Sequence, residues 1–175
     1  MLGIWAGTSA FGLLVLFEYQ KCRSVRRGIG KRNPWFLLGT LVLLASYLLL
    51  AGESTRSGGL RLLAGALALA AGIVFYGAVL LVAAGESGYT RDSGRIPVSR
   101  TGLYGKVRHP GVWSYLTCSL GYVMIFPETV CGALWFALLN LFYTWLQDRY
   151  FFPVYLEGYE EYRREVPYLF PKKIS

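Results

Sequence analysis

An all-α fold is predicted, a polytopic membrane helix bundle of about five transmembrane helices with a C-terminal helical hairpin and a cytoplasmic amphipathic tail helix. Three observations predict it. Five long apolar runs succeed one another, Leu2–Phe17, Trp35–Ala51, Leu60–Ala84, Pro110–Pro127 and Thr129–Gln147, with Arg61 the single charge inside them. Only 16% of the 175 residues are charged, against about 25% in a typical soluble domain, and mean hydropathy is +0.40. Sixteen of the eighteen basic residues fall on one side of a five-span zigzag. A water-soluble globule of this composition would expose large apolar patches, which argues against a cytosolic enzyme, a disordered chain and a fibrous repeat.

Each span follows from its residues. A helix needs about 20 mainly apolar residues to cross hydrocarbon about 30 Å thick. Leu60–Ala84 is long enough to cross with tilt. The first two runs are short, and their aromatic and polar flanks would sit in the interface. The last two are separated only by Pro127, Glu128 and Thr129. That spacing reads as a tight helical hairpin, which satisfies its backbone groups internally as lipid requires; the other reading is the buried core hairpin of a soluble protein. Residues 1–84 form the three N-terminal spans, and 85–175 the loop, hairpin and tail of one integrated membrane domain.

Basic residues orient the bundle. Lys21, Arg23, Arg26, Arg27, Lys31 and Arg32 lie between spans one and two, and Arg91, Arg95, Arg100, Lys106 and Arg108 between spans three and four. Arg149, Arg163, Arg164, Lys172 and Lys173 follow span five. By the positive-inside rule that side is cytoplasmic, with the N-terminus outside and the C-terminus inside. The net charge of +8 is then mostly topological, so no nucleic-acid partner is expected. The Lys21–Arg32 cluster reads as an orientation signal or as a lipid-headgroup site. The N-terminus lacks the basic start and cleavage site of a secretory signal. Cys22, Cys118 and Cys131 have neither disulfide-framework nor metal spacing; Cys22, beside the basic interface, reads as an inert thiol or an acylation site.

Chemistry is confined to Gly85–His109, Asp148–Ser175 and the neighbouring span ends. No Walker loop, HExxH pair, GxSxG elbow or dinucleotide fingerprint occurs, and with His109 the only histidine no metal site is expected. The first segment is a loop rich in Gly, Ser, Asp and Pro that ends in Tyr104, Arg108, His109 and Pro110. Pro110 suits the first turn of a helix. The amides of that helix start, with Arg108 beside them, read either as an anion pocket for a carboxylate or as ordinary interfacial residues, Arg108 snorkelling. In the tail, Tyr155, Tyr159, Tyr162 and Val166 share one helical face and Glu157, Glu160, Glu161 and Arg164 much of the other, until Pro167 and Pro171 end the pattern. This reads as an amphipathic helix on the membrane surface folding back over the hairpin, or as a plain interfacial anchor with a tyrosine belt.

The run Gly102-Leu103-Tyr104-Gly105-Lys106-Val107-Arg108-His109-Pro110 resembles the GPYxxVRHP segment of the isoprenylcysteine carboxyl methyltransferases, which belong with phospholipid N-methyltransferases in one superfamily of membrane methyltransferases. The tail resembles that family's EER…Y..YRR.VP..P ending: Gln147-Asp148-Arg149 stands where the acidic pair and arginine fall, and Tyr159, Tyr162, Arg163, Arg164, Val166, Pro167 and Pro171 match the remainder. The resemblance covers Gly102 to Pro171, under half the chain, in the family's order with a hairpin between. It departs from the pattern at Val112 and Ser114, where the family has Tyr and Gly, and at Gln147; Trp113 or Tyr115 are the candidates to replace the missing aromatic surface.

The resemblance implies an S-adenosylmethionine-dependent methyltransferase, S-adenosylhomocysteine being its product, acting on a lipid or small hydrophobic acceptor through a carboxylate or amine at the cytoplasmic face. It implies a cofactor site of Tyr104, Arg108, His109, Pro110, Tyr115 and Asp148. Arg108 and the helix-start amides suit the cofactor's carboxylate, Asp148 its amine or ribose, and Tyr104, Tyr115 or Tyr159 its sulfonium. Arg163 and Arg149 are expected near the acceptor headgroup, with Tyr159 and Tyr162 shaping an access groove open to membrane lipids. Three rivals stand beside this reading: a non-enzymatic lipid-binding or assembly protein, a membrane sterol-reductase-like enzyme, and a transporter, the last disfavoured by spans almost free of ionisable groups.

Overall fold

The apolar runs are helical where the computed structural model describes them, and they occupy the expected places. Residues 1–27, 34–51, 59, 63, 66, 70, 73, 74, 77 and 95–171 are described. The expected span Leu60–Ala84 therefore lies largely outside the described residues, as do residues 85–94; Leu63, Ala66, Ala70, Ile73, Val74 and Gly77 within that span are helical.

Helix α1 runs Leu2–Arg26, well past the apolar run that ends at Phe17, because nothing in Glu18–Arg26 breaks a helix. Its buried residues, Gly3, Gly7, Ala10, Phe11, Leu14, Glu18 and Cys22, recur every three or four positions and make one stripe. That stripe packs mainly against α2, Trp35–Ala51. Helix α3, Pro110–Ile125, opens on a proline, whose missing donor is not needed in a first turn. One 3₁₀ turn, Pro127–Thr129, reverses the chain into α4, Val130–Leu146. This is the tight hairpin expected from the sequence.

Small residues admit close packing. A Cβ built on Gly7 would run into the Phe136 ring, which is fully buried, so this ring lies directly on the α1 backbone. Phe11, Leu14, Leu50, Phe136 and Tyr143 form the core between α1, α2 and α4. The outward faces are the reverse. Leu41, Leu44 and Leu48 on α2 and Leu134, Leu138 and Phe142 on α4 are all exposed. Leu2–Arg26 and Pro127–Tyr155 are long and apolar enough to cross a membrane by length and composition.

Past α4 the helix widens into a π-type turn over Gln147–Phe151 and continues as the short α5, Phe152–Tyr155. Leu156–Glu157 (β2) then pairs in parallel with Ile96–Pro97 (β1). Gly158, at φ 74°, turns the chain into α6, Tyr159–Glu165. The tail pattern expected to be one helix from Tyr155 is thus broken at Leu156–Gly158. A second correction concerns its tyrosine face. Tyr159 and Tyr162 are 2% and 1% exposed and form a small core with Val166, packed by Val98, Phe152 and Leu156. This face is covered by the chain's own loop, which leaves no tyrosine belt free to line an interface.

Candidate functional site

The loop before α3 and the tail meet, although about forty residues of hairpin separate them in sequence. The Arg108 amide donates to Pro167 O at 2.9 Å and the His109 amide to Tyr168 O at 3.2 Å. Trp113 Nε1 donates to Leu169 O at 2.9 Å, and the Tyr162 hydroxyl to Tyr104 O at 2.7 Å. Arg100 pairs with Glu161 and Glu165, each at 2.9 Å.

Asp148 is the hub of this junction. The π-type turn rotates it inward, where it is 6% exposed. Its Oδ1 accepts from the Tyr159 hydroxyl at 2.6 Å and stands 2.8 Å from Arg108 Nη1 and 3.2 Å from His109 Nε2. Oδ2 stands 3.5 Å from Arg163 Nε. A carboxylate only accepts, so His109 carries its proton on Nε2. Burial pushes the His109 imidazole below its usual range and Arg108 reinforces this, while the Asp148 hydrogen bond opposes it. Burial, together with the Asp148 charge, raises the Tyr159 phenol well above its ordinary value, and burial raises that of Tyr162. Both therefore act as hydrogen-bond donors at neutral pH. Phe152 stacks on His109 at 5.6 Å and Tyr168 meets the same ring edge-on at 4.8 Å.

Beside this hub lies a cavity of about 450 Å³, lined by Tyr104, Arg108, His109, Pro110 and Tyr115 and by apolar residues of α1 and α2. Small-molecule sites run from about 300 to 1,000 Å³. Among the described residues, four buried polar atoms belonging to lining residues make no hydrogen bond: Arg108 Nε and Nη1, Ser114 Oγ and Asn140 Oδ1. Arg108 Nη1 is close to Asp148 but out of line for a directed hydrogen bond.

The structure sorts the residues singled out in the sequence. Five of the six expected cofactor residues line the cavity; Asp148 does not, because Arg108, Arg163, His109 and Tyr159 surround its carboxylate. Of the four residues expected at the acceptor, Tyr159, Tyr162 and Arg163 gather at the hub, behind the cavity wall. Arg149 is exposed on the outer side of the π-type turn and is not brought to them. Trp113 clamps Leu169 and Phe170, so Tyr115 is the aromatic that reaches the cavity. Sequence reasoning missed Glu18. It is 2% exposed, lines the cavity and accepts from Tyr143, Gln147 and Tyr155. Its signal was that α1 carries one acid, a single residue beyond an apolar run.

No protein-family model, no curated protein and no solved structure matches this chain.

Proposed function

We propose that this chain is an integral membrane methyltransferase that uses S-adenosylmethionine to methylate a carboxylate or amine on a lipid or small hydrophobic acceptor at the cytoplasmic face. The observation that carries this reading is Arg108. It belongs to the segment resembling the membrane methyltransferases, it is tied to the resembling tail, it lines the cavity, and its buried Nε makes no hydrogen bond. A buried donor without a partner is costly, and a ligand carboxylate removes that cost.

The residues present fit the cofactor. Arg108 would hold its carboxylate, with the Gly111 amide at the α3 start nearby, and Tyr104 and Tyr115 offer aromatic surface to a sulfonium. S-Adenosylmethionine, when bound, supplies an electrophilic methyl group. The chain's own part is positioning and exclusion of water, which can lower a barrier by about 7–11 kcal/mol. Asp148 holds Arg108 in place, His109 and Phe152 stack to close the wall, and Arg163 braces the hub near the headgroup level. Phe11, Leu14, Phe36 and Leu43 give the cavity an apolar flank for the acceptor's tail. The exposed leucines of α2 and α4 support a lipid environment, and the positive-inside rule puts the hub at the cytoplasmic leaflet.

Calorimetric titration of the purified protein in detergent tests this. Saturable binding of S-adenosylhomocysteine is expected, weakened roughly tenfold to a hundredfold in Arg108→Gln, since hydrogen bonds to charged groups contribute about 1.5–3 kcal/mol. Absence of saturable binding to folded wild-type protein overturns the reading.

A further inference from the structure

We infer that Glu18 is the cation-binding carboxylate of the cavity and holds an organic ammonium group. Two charged side chains line this cavity among the described residues, Arg108 and Glu18. They are not equivalent. Arg108 has a counter-ion in Asp148 at 2.8 Å, and Asp148 is further braced by Arg163. The hydrogen-bond partners of Glu18 are all neutral: the Tyr143 hydroxyl at 3.0 Å, Gln147 Nε2 at 2.6 Å and the Tyr155 hydroxyl at 2.8 Å. Lys21, the next basic residue on α1, lies over the Tyr155 ring, 3.8 Å from its centroid, and attracts Glu18 through space without forming an ion pair. No Lys, Arg or His nitrogen stands within 4 Å of Glu18 among the described residues.

Burying a carboxylate is costly unless it is paired as well as hydrogen-bonded. Three neutral donors orient the Glu18 carboxylate and satisfy part of its demand. They leave its charge without a cation in direct contact, Lys21 acting on it only from beyond ion-pair distance, and one of its oxygens, Oε2, with a single donor. The three donors account for its hydrogen bonding but give no reason for its place on the cavity wall. A cationic ligand group in the cavity does give one. The resemblance left the cofactor's amine or ribose to Asp148; the amine falls instead to Glu18, because two guanidiniums already engage Asp148. With a guanidinium whose Nε makes no hydrogen bond and a carboxylate without an ion pair both in its lining, the cavity complements a zwitterion. This identification of the ligand rests on the functional reading above. The ammonium has two sources, the amino-acid end of the methyl donor or the amine headgroup of a lipid acceptor.

Calorimetry with two probes separates the sources. Wild-type protein and Glu18→Gln are each titrated with S-adenosylhomocysteine and with a short-chain phosphatidylethanolamine. In parallel, wild-type protein is titrated with the deaminated nucleoside and the N-acetylated lipid, which need no variant and so stand even where Glu18→Gln fails to fold. A loss of at least tenfold in affinity for the nucleoside alone, on substitution or deamination, places the cofactor's ammonium at Glu18. The same loss for the lipid alone places the acceptor's amine there. Affinities for both probes that ignore substitution, deamination and acetylation overturn the assignment. Failure of wild-type protein to bind the nucleoside sinks the methyltransferase reading, and the lipid arm still decides the role of Glu18. Failure to bind either probe sinks both.

Discussion

At the scale of single residues, His109 shows how burial sets chemistry. Its ring lies between Phe152 and Tyr168, 5% exposed, with Nε2 toward Asp148 and Arg108 alongside. These surroundings favour the neutral imidazole, so the folded protein releases a proton that the unfolded chain keeps at mildly acidic pH. The unfolded state binds more protons between the ordinary histidine value near 6.5 and the lower folded value. Stability is therefore full above about pH 7 and declines as pH falls through that window, with a slope of at most about 1.4 kcal/mol per pH unit. Because the chain has one histidine, the test is clean. The unfolding midpoint in detergent should drop from pH 7.5 to 5.5 in wild-type protein, and His109→Gln should flatten that drop. An equal drop in both would remove His109 as its source.

The elements are decided by contacts of small residues. Gly7 and Gly12 both lie inside α1, yet their surroundings differ. A Cβ at Gly7 meets the Phe136 ring, whereas nothing stands within 4 Å of one at Gly12. Gly7→Ala should cost about 1–3 kcal/mol through overpacking. Gly12→Ala should be neutral or stabilise by up to about 1 kcal/mol through helix propensity. Thermal unfolding of the two variants checks the opposite signs. The tail is settled at the same scale. Its 3.6-residue pattern runs unbroken from Tyr155 to Val166, but the parallel pairing of Leu156 and Glu157 with Ile96 and Pro97 interrupts the helix. Tyr155 then serves Glu18, while Tyr159 and Tyr162 serve the hub.

For the whole molecule, the proposed topology predicts sidedness. Lys106 and Glu128 are both exposed, one in the loop before α3 and one in the turn after it. In a chain whose three cysteines are replaced, a cysteine at Glu128 should react with a membrane-impermeant maleimide in intact cells. One at Lys106 should react only after permeabilisation. Labelling of both from the same side would refute a membrane-crossing α3 and, with it, the placement of the site at the inner leaflet.

The apolar runs and the hairpin turn were legible in the amino-acid order, because burial in one solvent or another follows periodicity and composition. So was the crowding of polar groups against apolar ones at Tyr104–Pro110 and in the tail, two segments that the fold brings into contact. What the order of residues could not disclose is which carboxylate meets guanidiniums and which does not. Asp148 and Glu18 are each a lone acid beside a span end, chemically alike in sequence. Folding brings Arg108, Arg163, His109 and Tyr159 to the first, and only neutral hydroxyls and an amide to the second. Electrostatic partnership depends on distances of a few ångströms between segments far apart along the chain, so only the tertiary structure could decide it.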